Sequence, residues 1–220
     1  MKLLATGQRE PLKLVSGPTL TAGAMARAVI RATQGWTYDV VSVGFPGPVI
    51  HGRPLHEPHN LGGGWVRFDF ERAFAKPVRV INDAAMQALG SYAGGRMLFL
   101  GLGTGLGAAA IDEGHLEPLE IAHLPYKKGR TYEDYLGLRG LERLGRKRWE
   151  RQVHKISQQL RDALVCDYVV LGGGNAKKLS SFPPHSRLGD NGNAFLGGFR
   201  LWLDPAARGT TKRARSRAKS

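Results

Sequence analysis

Between two apolar runs, Met97–Leu100 and Ala108–Ile111, lies the heptad GLGTGLG, Gly101–Gly107. A glycine turn flanked by short apolar runs reads as a β-hairpin, not as the strand-to-helix turn of a dinucleotide fold. The heptad also fails the dinucleotide fingerprint, because the sixth position from Gly101 or Gly103 is Leu106 or Ala108 where glycine is required. No Lys–Ser/Thr pair follows it, which removes the phosphate-loop pattern as well. What such a hairpin does offer is a row of backbone N–H groups that can wrap phosphate oxygens, with the Thr104 hydroxyl as a further donor. An ordinary tight turn is the plainer account. Four glycines in seven residues exceed what a turn needs, so phosphate binding is the favoured reading.

The rest of the chain alternates strand and helix signals. MKLLAT and PLKLV form a hairpin across Gly7–Glu10, and Thr21 N-caps a helix through Ala32 with Met25, Val29 and Ile30 on one face. Asp39–Val43 is a buried-type strand followed by the loop GFPGPV, and Val78–Ile81 is a strand running into Asn82–Asp83 and the helix AAMQALGSY. After the glycine hairpin come a turn at Asp112–Gly114, the run PLEIAHLPY, and a basic helical region over Tyr132–Leu164. Strand Asp167–Leu171, the turn GGGN, a helix AKKL and a last helix over Asn193–Trp202 complete the pattern. The expectation is an α/β protein of two lobes facing one cleft: residues 1–95, residues 96–207, and a basic tail over 208–220.

Charge and cysteine content narrow the classes. Thirty-two Lys and Arg against eighteen Asp and Glu give +14, which suits polyanionic partners. Six of those charges sit in the tail from Arg208 to Ser220, leaving +14 − 6 = +8 for the remainder. A nucleic-acid binder would rest on this charge alone, without stacking aromatics or a recognition helix, and is set aside. One cysteine, Cys166, excludes a disulfide framework and multi-cysteine metal sites. His51, His56 and His59 lie close together but lack the partners that complete a metal site, so no metal ligand is assigned. No run is long and apolar enough to span a membrane and no secretory pattern stands at Met1, so a cytoplasmic protein is expected.

Three further constellations carry chemistry. Asp83 either N-caps the helix after Asn82 or places its carboxylate at a strand's C-terminal end, where it can accept a proton from a substrate hydroxyl while Asn82 bonds a neighbouring one. Glu120 and His123, three apart in EIAH, are either surface groups or hydrogen-bonding partners for a polyhydroxyl substrate. Gly172–Gly174, between a strand and a helix, form a generic anion cradle.

Taken together, GFPGPV (44–49), NLGGGW (60–65), INDAAMQALG (81–90), LGLGTGLGAA (100–109), LEPLEIAHL (116–124), YEDY (132–135) and VVLGGGN (169–175) resemble, in order, the ROK family of sugar kinases and its polyphosphate glucokinase branch. The resemblance implies an actin-like, two-lobed sugar kinase fold. It implies phosphoryl transfer to a hexose hydroxyl, glucose first, from ATP or polyphosphate with Mg²⁺. It makes Asp83 the catalytic base, and Asn60, Asn82, Glu120, His123 and Glu133 the sugar contacts. Gly103, Thr104 and Gly105 become the phosphate loop, and Gly172, Gly173 and Gly174 the edge of the nucleotide or polyphosphate site. A homodimer is a common assembly of the family.

The chain departs from the family pattern in three places. It has neither the family's cysteine-rich zinc motif nor an N-terminal helix-turn-helix. The opening strand and its DxGGT phosphate turn have no counterpart, since Met1–Lys2 aligns immediately after them, so a first lobe lacking its first strand is expected. The competing reading is a non-catalytic sugar-binding or regulatory paralogue that has lost the first phosphate loop.

Overall fold

A spacing of three or four residues between Trp149, Val153, Ile156 and Leu160 puts all four on one helix face, and the computed structural model buries all four. The structure describes residues 1–208. The expected tail therefore lies outside the described residues except for Arg208, whose guanidinium donates to Gly114 O at 3.0 Å. Two compact units divide the chain, Met1–Asp83 and the residues from Ala84 onward. Among the described residues no helix is long and apolar enough to cross a membrane.

The first unit opens with the expected hairpin, β1 (Lys2–Leu3) antiparallel to β2 (Leu12–Lys13). Helix α1 (Ala22–Ala32) is capped by Thr21, whose side chain accepts from the Ala24 N–H at 3.2 Å. Its core face is Ala22, Met25 and Ala26; Ile30, expected on that face, is 41% exposed. Strand β3 (Val41–Phe45), the short pair β4 (Val49–Ile50) and β5 (Arg53–Pro54), helix α2 (Phe70–Phe74) and strand β6 (Val78–Asn82) follow. β3 and β6 pair in parallel, Val41 opposite Val78 and Phe45 opposite Asn82. Phe45, Trp65, Phe70, Phe74 and Val80 join the α1 face to make this unit's core.

Helix α3 (Asp83–Ser91) leads into the second unit, built on a five-stranded sheet. β7 (Arg96–Leu102), β8 (Leu106–Asp112) and β9 (His115–Leu119) form an antiparallel meander, and Gly101 pairs with Gly107 across the expected hairpin. After the small hairpin β10 (Pro125–Lys127) and β11 (Arg130–Thr131) come α4 (Glu133–Leu136), α5 (Leu138–Leu144) and α6 (Arg146–Ala163). β12 (Tyr168–Gly172) then pairs in parallel with β7 and with β13 (Ser186–Leu188), and α7 (Asn193–Arg200) follows. The basic helical region over 132–164 is thus three helices. It breaks at Gly137, where a Cβ would stand 2.9 Å from Thr104 O, and at Gly145, whose φ of +72° is a left-handed value.

The helix expected over AKKL is a 3₁₀ segment, Gly174–Lys178, which a sequence with one short apolar stretch cannot extend. The sheet's inner face, α6 and α4 share one core, in which Leu98, Leu100, Leu136, Trp149, Val169 and Leu171 are fully buried.

Helix α7 crosses α3 at two glycines. A Cβ on Gly90 would lie 1.7 Å from Asn193 O, and one on Gly197 would lie 1.8 Å from Met86 O. Backbone meets backbone here, so no rotamer change can relieve an added methyl. Gly90→Ala should therefore cost about 3 kcal/mol or more in stability, read as a fall in the urea midpoint. A midpoint matching the unmutated chain would show that the two helices are not packed this closely.

Candidate active site

In the first unit the strand end at Asn82 and the loop after β3 are tied together. The Asn82 side-chain amide donates to Gly47 O at 3.0 Å, which holds GFPGPV over the C-terminal end of β6. Asp83 follows as the first residue of α3, with its carboxylate exposed.

Asn60 is exposed on a loop fastened from both sides. The Glu57 carboxylate accepts from Trp65 N–H at 3.0 Å and from Val66 N–H at 3.3 Å, and the Trp65 indole donates to Gly62 O at 2.6 Å. Gly62 N–H in turn donates to Leu20 O at 3.0 Å. Glu57 carries no motif that marks it for this work. Only the fold reveals that it shapes the loop presenting Asn60.

The glycine hairpin in the second unit is held by its carbonyls. Gly103 O accepts from the Asn175 side-chain amide at 2.8 Å and from Leu138 N–H at 3.1 Å; Thr104 O accepts from Leu138 N–H at 3.2 Å. Gly103 N–H is used inside the turn, donating to Gly101 O and Gly105 O, both at 3.1 Å. Of the three residues expected to bind phosphate, Gly103 is thus a structural member. The N–H groups of Thr104 and Gly105 and the Thr104 hydroxyl make no hydrogen bond among the described residues. They are the donors an incoming anion can use.

The second glycine run is packed against the first. A Cβ on Gly172 would stand 2.4 Å from the Phe99 ring, and one on Gly173, at φ +80°, would stand 2.6 Å from Leu102 O. A 3₁₀ turn stands where a helix was expected, so no α-helix N-terminus backs Gly172–Gly174 as an anion cradle. Close approach is what these glycines demonstrably provide. It brings Asn175, 8% exposed, to the hairpin carbonyl.

Glu120, His123 and Glu133 come together although they belong to different segments. Glu133 N–H donates to Ala122 O at 3.0 Å and Tyr132 N–H to Leu124 O at 3.2 Å, fastening the start of α4 to the EIAH turn. Burial pushes the Glu120 carboxyl above its ordinary range, His123 opposes this, and the Glu133 charge adds to it. Glu133 also buttresses the hairpin: its Oε2 accepts from Leu106 N–H at 3.1 Å and would lie 2.5 Å from a Cβ on Gly105. One carboxylate therefore links the polyol-type cluster to the anion-type loop.

No protein-family model matches the chain. Relatives are found by sequence nonetheless. The polyphosphate glucokinase of Mycobacterium tuberculosis is 26% identical over 199 residues, which are 82% of this chain and 74% of that protein. Among solved structures, the inorganic polyphosphate/ATP-glucomannokinase of Arthrobacter sp. strain KM is 25% identical with a TM-score of 0.63, covering 80% of this chain and 79% of that one. The ROK family glucokinase of Streptomyces griseus, solved with glucose and AMPPNP, has a TM-score of 0.64 at 16% identity, covering 87% and 90%, and speaks to the fold alone. The glycine hairpin, the Asn82–Asp83 strand end and the EIAH turn thus stand on the actin-like fold seen in solved ROK sugar kinases, and in sequence the chain is similar to polyphosphate glucokinases.

Proposed function

We propose that the chain is a hexose kinase that transfers a phosphoryl group from polyphosphate or ATP to a hydroxyl of glucose, with Asp83 as base. The observation that carries the proposal is the hairpin whose carbonyls are tied back to Asn175 and Leu138 while the Thr104 and Gly105 amides keep their donors for an anion. The relatives' activities support the choice of sugar and donor.

In this reading Asp83, exposed at the start of α3, accepts the proton of the attacking hydroxyl. Phosphoryl transfer asks little of its base and much of positioning. Asn60, Asn82, Glu120, His123 and Glu133 bond the remaining sugar hydroxyls. Thr104 and Gly105 hold donor phosphate oxygens, and Gly174, with open space before its Cα, lets a phosphate approach the backbone.

Mg²⁺ enters with the donor. Among the described residues no cluster of three or more His, Cys, Asp or Glu could cage a metal, and the hairpin's carboxylate, Glu133, is engaged by Leu106 N–H. A Mg²⁺ ion held mainly by phosphates and water fits such a site, where it neutralises charge on the donor. Polyphosphate is the donor we favour. On α6 Arg146, Lys147, Arg148, Arg151 and Lys155 are exposed, a run of cations suited to a long polyanion.

Asp83→Asn should lower kcat by about a thousandfold while glucose still binds, because hydrogen bonding survives and proton acceptance does not. A kcat within about threefold of the unmutated chain removes Asp83 from the role; no turnover by either chain, with glucose still bound, favours the non-catalytic sugar binder.

Glu120→Ala and His123→Ala should each raise the glucose KM about tenfold, since an unpaired buried hydroxyl costs about 1–3 kcal/mol. An unchanged KM in both makes the EIAH turn structural. A second measurement uses the raised carboxyl of Glu120. Its stabilising contribution is complete below the ordinary value of 4.5 and is lost as pH rises through the folded-state value, so the ionised group burdens the fold at pH 7. Glu120→Gln should therefore raise Tm at pH 7 and leave it unchanged near pH 4.

The donor assignment is read from salt. Raising NaCl from about 50 to about 300 mM should increase the polyphosphate KM severalfold and the ATP KM far less. Equal responses would take the α6 cations out of donor binding.

A further inference from the structure

The helix that begins with Asp83 ends among guanidinium groups. The last carbonyls of an α-helix lack partners within it and must find them elsewhere. In α3 they find two arginines. Arg200 Nη1 donates to Leu89 O at 3.0 Å, Gly90 O at 3.2 Å and Tyr92 O at 2.9 Å. Arg187 Nη2 donates to Ser91 O, and the Ser91 hydroxyl accepts from the Asn193 amide at 3.0 Å. Four consecutive carbonyls at the end of α3 are thus taken up by side chains from β13 and α7.

Arg200 is 3% exposed, an unusual place for a guanidinium. Burying that charge is costly, and burial accordingly lowers its pKa. A group retained at such expense has a geometric task the apolar alternatives could not perform: a planar cation reaches several carbonyls at once, whereas Leu or Met at the same position reaches none. Its neighbours set the remaining degrees of freedom. The Gly90–Gly197 contact fixes how closely α3 and α7 approach, and the guanidinium fixes where along its axis α3 stops. A nine-residue helix is about 13 Å long and stiff, so what is set at Tyr92 is set at its first residue too.

We propose that Arg200 is a positioning residue for the phosphoryl-transfer reaction: by holding the C-terminal carbonyls of α3 it fixes the helix that bears the Asp83 carboxylate. Arg187 supports it through Ser91. The proposal rests on the reading of Asp83 as base, and a misplacement of about 1 Å in such a group costs on the order of a hundredfold in rate.

The test is a double-mutant cycle in the full chain with Arg200→Lys, Asp83→Asn and their combination, each kcat referred to sites counted by glucose binding. Lysine keeps the charge and loses the fork, so Arg200→Lys should lower kcat about thirtyfold with a glucose KM within threefold, and amides at the end of α3 should exchange faster with deuterium. In the Asp83→Asn background the same change should lower kcat less than threefold, because a helix held for a carboxylate no longer matters once that carboxylate cannot accept a proton. A loss equally large in both backgrounds means that Arg200 serves stability alone and overturns the proposal. So does a normal kcat in Arg200→Lys when Asp83→Asn is inactive. Full activity of Asp83→Asn, or no turnover by the unmutated chain, overturns the reading of Asp83 and this proposal with it.

Discussion

The hydrogen bond from Asn175 to Gly103 O, 2.8 Å long, joins two segments 72 residues apart, and the shape of the 101–107 hairpin depends on it. Gly103 could otherwise turn its carbonyl toward an incoming phosphate, where two negative oxygens would repel. With that oxygen occupied by Asn175 and Leu138, the electropositive side of the turn remains available at Thr104 and Gly105. The bond requires Asn175 to lie close, which requires β12 beside β7 and no side chain at Gly172 or Gly173. A motif that sequence reading treats as a phosphate cradle is, first of all, the means by which the 101–107 hairpin is shaped.

The same economy governs Glu133. Its carboxylate accepts from Leu106 N–H at one end of the hairpin while its charge is felt by Glu120 in the EIAH turn. A change at either cluster therefore reaches the other through one side chain.

Much of the framework was legible because it depends on local patterning. Thr21 as an N-cap, the 101–107 hairpin and the strand–Asn82–Asp83–helix passage each follow from neighbours within a few residues. The misses arise where distant groups decide. Ile30 satisfies the helical period, yet it stays exposed while Val29 beside it packs against the first unit's core. Gly137 breaks a helical run because Thr104 O, far away in sequence, occupies the space of its Cβ. Glu57, Asn175 and Arg200 do their work through contacts 8, 72 and about 110 residues away, and nothing beside them in the chain announces it.

The Arg200 clamp has a consequence for the order in which the molecule can form. A nine-residue helix is marginal by itself, and α3 carries a glycine at its eighth position. Its terminal carbonyls obtain side-chain partners from Arg187 and Arg200, residues made roughly a hundred positions later. On a ribosome, the sheet hairpins can close as they emerge, while the end of α3 waits for Arg187 and Arg200 to be synthesised. Completion of α3 is thereby tied to residues about a hundred positions downstream.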